Sequence, residues 1–275
     1  MLTLLSWNIA HRPEAWRVVA DSKVDLALLQ EACEPATEFS SRLDTGEGAW
    51  QTGGPAATRR RRTALVRCSP RLKVERISTR SLPDAGADDL PVSLPGTLAA
   101  GHVEDPDTGG PFTVASMYAA WERPHGSTKS QWIYADASAH RLVSDLSVLV
   151  GRERGHRIIV AGDLNILHGH GEYRSAYWAA RYKSIFDRFA LIGLEFVGPQ
   201  SPNGRQAEPW PEELPLGSMN VPTFHTNRQS PATATRQLDF VFASKDIAHR
   251  IATSALNSPE EWGPSDHCRV RIEVA

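Results

Sequence analysis

At 275 residues, with 41% hydrophobic and 23% charged side chains, the chain has the make-up of a globular protein and length for one large core or two small ones. A formal net charge of −2 excludes a globally basic nucleic-acid coat, though not a local basic patch. Three widely spaced cysteines, Cys33, Cys68 and Cys268, form no CxxC or CxxxC pair, which argues against a disulfide framework or zinc ribbon and for a reducing compartment.

No run of about 18 apolar residues marks a membrane span. The apolar stretch at residues 2–5 is too short for a secretory signal, so the expectation is a cytoplasmic protein.

Residues 2–9 read as a first strand ending in Trp7-Asn8-Ile9. Pro13 then sits where a helix can begin, and Ala15, Trp16, Val18 and Val19 give it an apolar face. Residues 24–29 read as a second strand closing on Gln30-Glu31, so the chain starts in a βαβ-like manner. A short helix follows at 35–43 and a turn-rich stretch at 46–55.

Four arginines, Arg59, Arg60, Arg61 and Arg62, precede a short strand at 63–67, with 71–77 as its hairpin partner. Such a run reads as a solvated loop or as a clamp on phosphate oxygens, which guanidinium forks bind bidentately. Residues 81–95 read as a loop, then 97–104 and 111–118 as two strands around a turn.

Apolar spacing marks a helix over 130–150, and a second, aromatic-rich one over 177–191. Between them lies Ile158-Ile159-Val160-Ala161-Gly162-Asp163-Leu164-Asn165, a buried strand that ends in two alternate polar side chains pointing the same way. A simple Asp/Asn turn reads the same in isolation. His168 and His170 read equally as a loose metal pair or as part of a flexible loop. Residues 198–222 hold six of the nineteen prolines and read as a long loop. Strands are expected at 238–243, 251–256 and 268–274. With no linker, repeat or low-complexity tract, the expectation is a single domain over 1–275.

Short apolar runs thus end repeatedly in Asn, Asp, Glu or His: Asn8, Glu31, Tyr118, Asp163 with Asn165, Asp239, and Asp266 with His267. Buried carboxylates are costly without a partner, and oxygen donors without a cysteine pair point to a hard ion such as Mg²⁺ or Mn²⁺. In order along the chain, Ser6-Trp7-Asn8-Ile9, Leu29-Gln30-Glu31, Ser116-Met117-Tyr118, Gly162-Asp163-Leu164-Asn165, Gln237-Leu238-Asp239-Phe240 and Ser265-Asp266-His267 resemble the motifs of the endonuclease/exonuclease/phosphatase superfamily, the DNase I-like proteins. The resemblance runs from Asn8 to His267.

The resemblance implies a four-layer α/β sandwich, two mixed sheets face to face with helices outside. It implies Glu31 as metal ligand, with Asn8 and Asp266 close to the ion or linked to it through water. Asp163 would orient or deprotonate the attacking water, Asn165 and His267 would hold phosphate oxygens, and Asp239 would fix the His267 ring. Tyr118 would assist the leaving oxygen or hydrogen-bond phosphate, and Thr223 matches a Thr-aromatic position of relatives that contacts phosphate. Water would attack without a covalent intermediate.

For substrate, the first reading is a nuclease on DNA or RNA, with the four arginines and exposed Trp and Arg residues of 173–188 as contacts. The alternative is a phosphatase or phosphodiesterase on a small metabolite or lipid head group, and a third is a catalytically silent scaffold. Tyr118 leans towards the nuclease branch, but Ala119-Ala120-Trp121 replaces the proline and asparagine of abasic-site endonucleases. No obligate protein partner is evident.

Overall fold

Alternation in the first strand separates two cores. In β1 (Leu2–Asn8), Leu2 and Leu4 join one apolar cluster, while Leu5 and Trp7 join another on the opposite face. The structure, a computed structural model, describes residues 1–46, 62–121, 135–152, 157–169, 175–200 and 207–275.

One sheet runs, in spatial order, β12 (Ile251–Leu256), β13 (Arg269–Val274), β1, β2 (Leu26–Gln30) and β3 (Ala64–Arg67). The other runs β10 (Leu194–Gly198), β11 (Asp239–Ser244), β9 (Ile158–Asp163), β8 (Phe112–Tyr118), β7 (Leu98–Glu104) and β4 (Lys73–Ile77). Both are mixed: β1 with β2 and β8 with β9 are parallel, and the remaining pairs are antiparallel.

The sheets pack on each other through Leu2, Leu4, Leu26, Leu28, Val114, Ile159, Ala161 and Val241. Outside the first sheet, α1 (Ala15–Asp21) and α2 (Thr37–Ser40) set Trp16, Val19 and Phe39 on Trp7 and Leu29. Outside the second, α3 (Ala135–Arg152) and α4 (Ala176–Leu191) cover Val160, Phe240 and Phe242 with Leu142, Leu146, Ile185 and Phe189. A four-residue α5 (Lys245–Ala248) follows β11. This is the four-layer α/β sandwich. Among the described residues no helix is long and apolar enough to cross a membrane.

Several expectations are corrected. Strand β4 does not form a hairpin with β3: it pairs antiparallel with β7 in the other sheet, while β3 pairs with β2. The cause is Arg71, which is held by Asp25 before β2 and by Asp105 after β7, so the chain changes sheets there. Residues 81–95 are not wholly loop: β5 (Thr79–Ser81) and β6 (Leu90–Val92) form a two-stranded parallel ribbon, because Leu90 and Val92 are buried in the α3 core. Strand β10 carries no clean alternation and was not expected; as an edge strand only its ends are buried. The arginines at 59–61 and the histidine at 170 lie outside the described residues.

The layer between the sheets is apolar at one end and polar at the other. Continuing the same alternation, Ser6 and Asn8 of β1, Gln30 of β2, Ser116 and Tyr118 of β8, Asp163 of β9 and Asp239 of β11 all belong to the inter-sheet face. Gln30 Nε2 donates across the gap to Ser116 Oγ at 2.9 Å, and Ser116 Oγ donates back to the Leu29 carbonyl at 2.8 Å. Gly162 permits the close approach of β8 and β9 here, since a Cβ on it would stand 1.8 Å from the Met117 carbonyl oxygen.

Candidate active site

Strand pairing delivers the polar residues to one place. Asp163 stands opposite Asp239 on one side and Tyr118 on the other, and Asn8 stands opposite Gln30. The two sheets then meet through Asn8, whose amide nitrogen donates to Asp163 Oδ2 at 3.0 Å and to Glu31 Oε1 at 3.2 Å. Its Oδ1 is taken by the Ala10 N–H at 2.9 Å. Asn8 therefore offers its N–H groups to the two carboxylates and orients Glu31.

Asp163 is fully buried and heavily hydrogen-bonded. Its Oδ1 accepts from the Asn165 backbone at 2.7 Å, and its Oδ2 accepts from the Asn165 amide at 3.0 Å. The Asn165 amide also donates to the Ala119 carbonyl at 3.1 Å, so both its N–H bonds are engaged within the protein.

His267 Nδ1 is 2.8 Å from Asp239 Oδ2, and its Nε2 is 3.8 Å from Asp163 Oδ2. The ring tilts against Phe224, with centroids 4.9 Å apart. Ser265 locks the loop, donating to the Asn8 carbonyl at 2.6 Å and accepting from the His267 N–H at 3.1 Å.

Electrostatics follow from this burial. Desolvation pushes the Asp163 carboxyl up to about 7 against the opposing pull of His267, and Asp239 and Glu31 push the same way as burial. For His267 burial works against the charged ring, but Asp239 first and then Asp163 outweigh it and raise the ring to about 10. The ring is protonated at neutral pH.

Four of the five non-glycine residues with left-handed φ among the described residues sit here: Ala10, His11, Glu31 and Asn165. Strain of this kind collects where side chains must be aimed. Above them opens a cavity of about 470 Å³, whose polar lining includes Glu31, Asn165, Asp266, His267 and the exposed Arg236. Trp121, Tyr182 and Phe224 are among its apolar lining residues.

Of the expected site residues, the structure brings together Asn8, Glu31, Asp163, Asn165, Asp239, Asp266 and His267. Tyr118 is buried beside Asp163 and is not part of the cavity wall. Thr223 is not placed to touch a phosphate: it is fully buried, and its hydroxyl accepts the Leu238 and Asp239 N–H groups at 3.0 and 3.1 Å, fixing the start of β11. Arg62 is also buried, which pulls its guanidinium down to about 10, so it is not an open phosphate clamp. His168 stacks on Phe186 at 4.0 Å within the aromatic cluster under α4.

The donor set is rich in carboxylate oxygen. Asp163, Asp239 and His267 lie close enough to share an ion, but Asp163 is already satisfied by hydrogen bonds and His267 turns its Nδ1 to Asp239. Glu31 is open to the cavity, and with Asp163, Asp239 and Asp266 it outnumbers the cations there, the His267 imidazolium and exposed Arg236. Such an excess fits a divalent cation.

Sequence reading missed His11, Trp121, Tyr182, Phe224 and Arg236. Strict alternation would place residue 10 beside Asn8, but the left-handed pair Ala10 and His11 turns the chain so that His11 reaches Glu31 instead. The lining residues come from distant loops and a helix, which no local pattern joins.

A profile of the endonuclease/exonuclease/phosphatase family matches residues 5–267. No curated protein matches the sequence significantly. Among solved structures, the chain resembles a 3'-5' exonuclease, NExo, from Neisseria meningitidis at 17% identity, TM-score 0.61, covering 99% of each chain. It resembles the AP endonuclease LMAP from Leishmania major at 15% identity, TM-score 0.60, covering 99% of this chain and 87% of that one. A mannosyl-6-phosphatase from Bacteroides thetaiotaomicron is similar at 17% identity, TM-score 0.53, with both chains covered in full. At these identities the likeness establishes the fold.

Proposed function

Because the chain belongs to the endonuclease/exonuclease/phosphatase family, whose members hydrolyse phosphoesters, we propose that it is a Mg²⁺- or Mn²⁺-dependent phosphodiesterase cutting DNA or RNA, acting as one domain over residues 1–275. The observation that carries this reading is the buried set Asn8, Asp163, Asn165, Asp239 and His267 under a cavity that Glu31 and Asp266 also line.

Asp163, poised near neutrality, takes the proton from the attacking water. Asn165 and Asn8 hold its carboxylate in place and leave it no freedom to rotate. Protonated His267, kept charged by Asp239, donates through Nε2 to a phosphoryl oxygen as negative charge grows there. Glu31 and Asp266 would hold the divalent ion. When bound there, such an ion would supply positive charge to offset the negative charge that develops in phosphoester hydrolysis. Tyr118 stands opposite Asp163 on the neighbouring strand.

Nucleic acid is supported as substrate by the exposed ring of Trp121 and the half-buried ring of Phe224 beside exposed Arg236, which suit a stacked base and phosphate. A structural relative, the Neisseria 3' phosphatase NExo, is itself solved bound to a product DNA hairpin. The second reading, a small phosphorylated metabolite or lipid head group, is favoured by the modest cavity, whose about 470 Å³ suits one small ligand.

The test is hydrolysis of single- and double-stranded DNA, RNA, abasic-site DNA, inositol phosphates and a bis-aryl phosphodiester with Mg²⁺ or Mn²⁺. Activity lost with EDTA and in Asp163→Ala and His267→Ala supports the site, and the preferred substrate decides between the readings. Metal-dependent turnover surviving both substitutions overturns it.

A further inference from the structure

His11 lies outside the set just described, yet its Nε2 is 3.5 Å from Glu31 Oε2. Its backbone N–H donates to the Glu31 carbonyl at 2.9 Å, so the two residues are tied at main chain as well as facing at side chain. Both have left-handed backbones, His11 at φ 55° and Glu31 at φ 44°, a conformation that L-residues adopt at a cost. The other Glu31 oxygen, Oε1, is already held by Asn8. Oε2 is thus the free oxygen of Glu31, and it faces an imidazole nitrogen.

The separation is informative. A charge-assisted N–H···O bond closes to about 2.7–2.9 Å, well short of what is seen. Two donors on one ion at about 2.1 Å stand about 3.0 Å apart at a right angle and about 3.4 Å apart at the tetrahedral angle. At 3.5 Å the His11–Glu31 pair is nearer to ligand-to-ligand spacing, tetrahedral or octahedral, than to a closed hydrogen bond. The His11 side chain is 38% exposed, so it can meet an ion from solvent.

Resting on the metal-dependent reading above, we infer that His11 is a ligand, with Glu31, of the divalent ion, and that the site selects ions accepting an imidazole nitrogen, Mn²⁺ or Co²⁺, over Mg²⁺. Carboxylate and water ligands alone suit Mg²⁺, whereas an added imidazole favours the transition metals. Asn8 is the positioning residue that turns Oε2 towards His11.

The probe is Mn²⁺ added to the purified full chain, read by electron spin-echo modulation and by titration calorimetry. Wild type is expected to show ¹⁴N modulation from a coordinated imidazole, lost in His11→Ala and retained in His267→Gln. Mn²⁺ affinity should fall about tenfold or more in His11→Ala, and Mg²⁺ affinity by less than about threefold. A second variant, His11→Gly, removes the ring while accepting the left-handed backbone, so loss of fold cannot mimic loss of a ligand. Modulation persisting in both His11 variants, or absent from wild type whose Mn²⁺ binding is weakened by Glu31→Gln, overturns the inference and leaves the wider reading intact. No Mn²⁺ binding by wild type at millimolar concentration overturns both.

Discussion

The Asp239 carboxylate touches neither cavity nor solvent, yet it sets the charge on the ring that does. Replacing it by asparagine keeps the shape and removes the charge that raises both His267 and Asp163. For wild type, the rate should rise as Asp163 deprotonates through about 7 and fall as His267 loses its proton near about 10. In Asp239→Asn both limbs should move to lower pH, with kcat reduced about 10²- to 10⁴-fold. A pH–rate profile checks this, and an Asp239→Asn variant with an unshifted upper limb would sink the assignment. The same charge logic applies to the cation: Mn²⁺ should raise the melting temperature of wild type and do so less for Glu31→Gln, as binding to the folded state alone requires.

Elements carry the site because their alternation does not stop where apolar residues do. In β9 the inter-sheet positions are Ile159, Ala161 and then Asp163, while Gly162 faces the other way and lets β8 come close. Gly162→Ala should destabilise the fold by about 3 kcal/mol or more, since a backbone carbonyl blocks the added methyl and cannot rotate aside. Denaturant titration tests this; a loss below about 1 kcal/mol would show that β8 and β9 can separate freely.

That same strand explains what was legible in the sequence. A short apolar run ending in alternating Asp and Asn can be read locally, and so can Asn8, Glu31, Asp239 and the Ser265–Asp266–His267 tripeptide at other run ends. What could not be read is what depends on distant chain: β4 joining β7 across the sandwich, Thr223 turning its hydroxyl onto β11, and Arg62 folding inward. His11 was hidden for a different reason, because left-handed residues break the very alternation by which neighbours are assigned to a face.

At the scale of the molecule, the two sheets are joined at opposite ends by opposite means. The end of β2 that leads into Glu31 holds the site, and the other end is clamped by Arg71. Its guanidinium grips Asp25, just before β2, with Nε at 2.7 Å and Nη2 at 2.6 Å. Nη1 reaches Asp105, just past β7, at 2.5 Å, and Nη2 also donates to the Met1 carbonyl at 3.0 Å. One side chain thus ties the first strand, the first sheet and the second sheet. Burial works against the Asp25 carboxylate, but the Arg71 hydrogen bonds outweigh it and hold the carboxyl below its usual range. Because the folded value is depressed, this stabilisation is complete above the unfolded value of about 3.9 and is lost as pH falls through the folded one. Arg71→Met should cost about 2–4 kcal/mol at neutral pH, since Asp105 is left buried without its partner. The gap from wild type should narrow as the solution is acidified below about pH 4. With the clamp at the far end, kcat at pH 7 should stay unchanged while the melting temperature falls. Equilibrium unfolding at several pH values, with one activity assay, reads both; a gap constant from pH 2 to 7, or a kcat that falls with the melting temperature, would show that the clamp and the site are not the separate devices that the geometry describes.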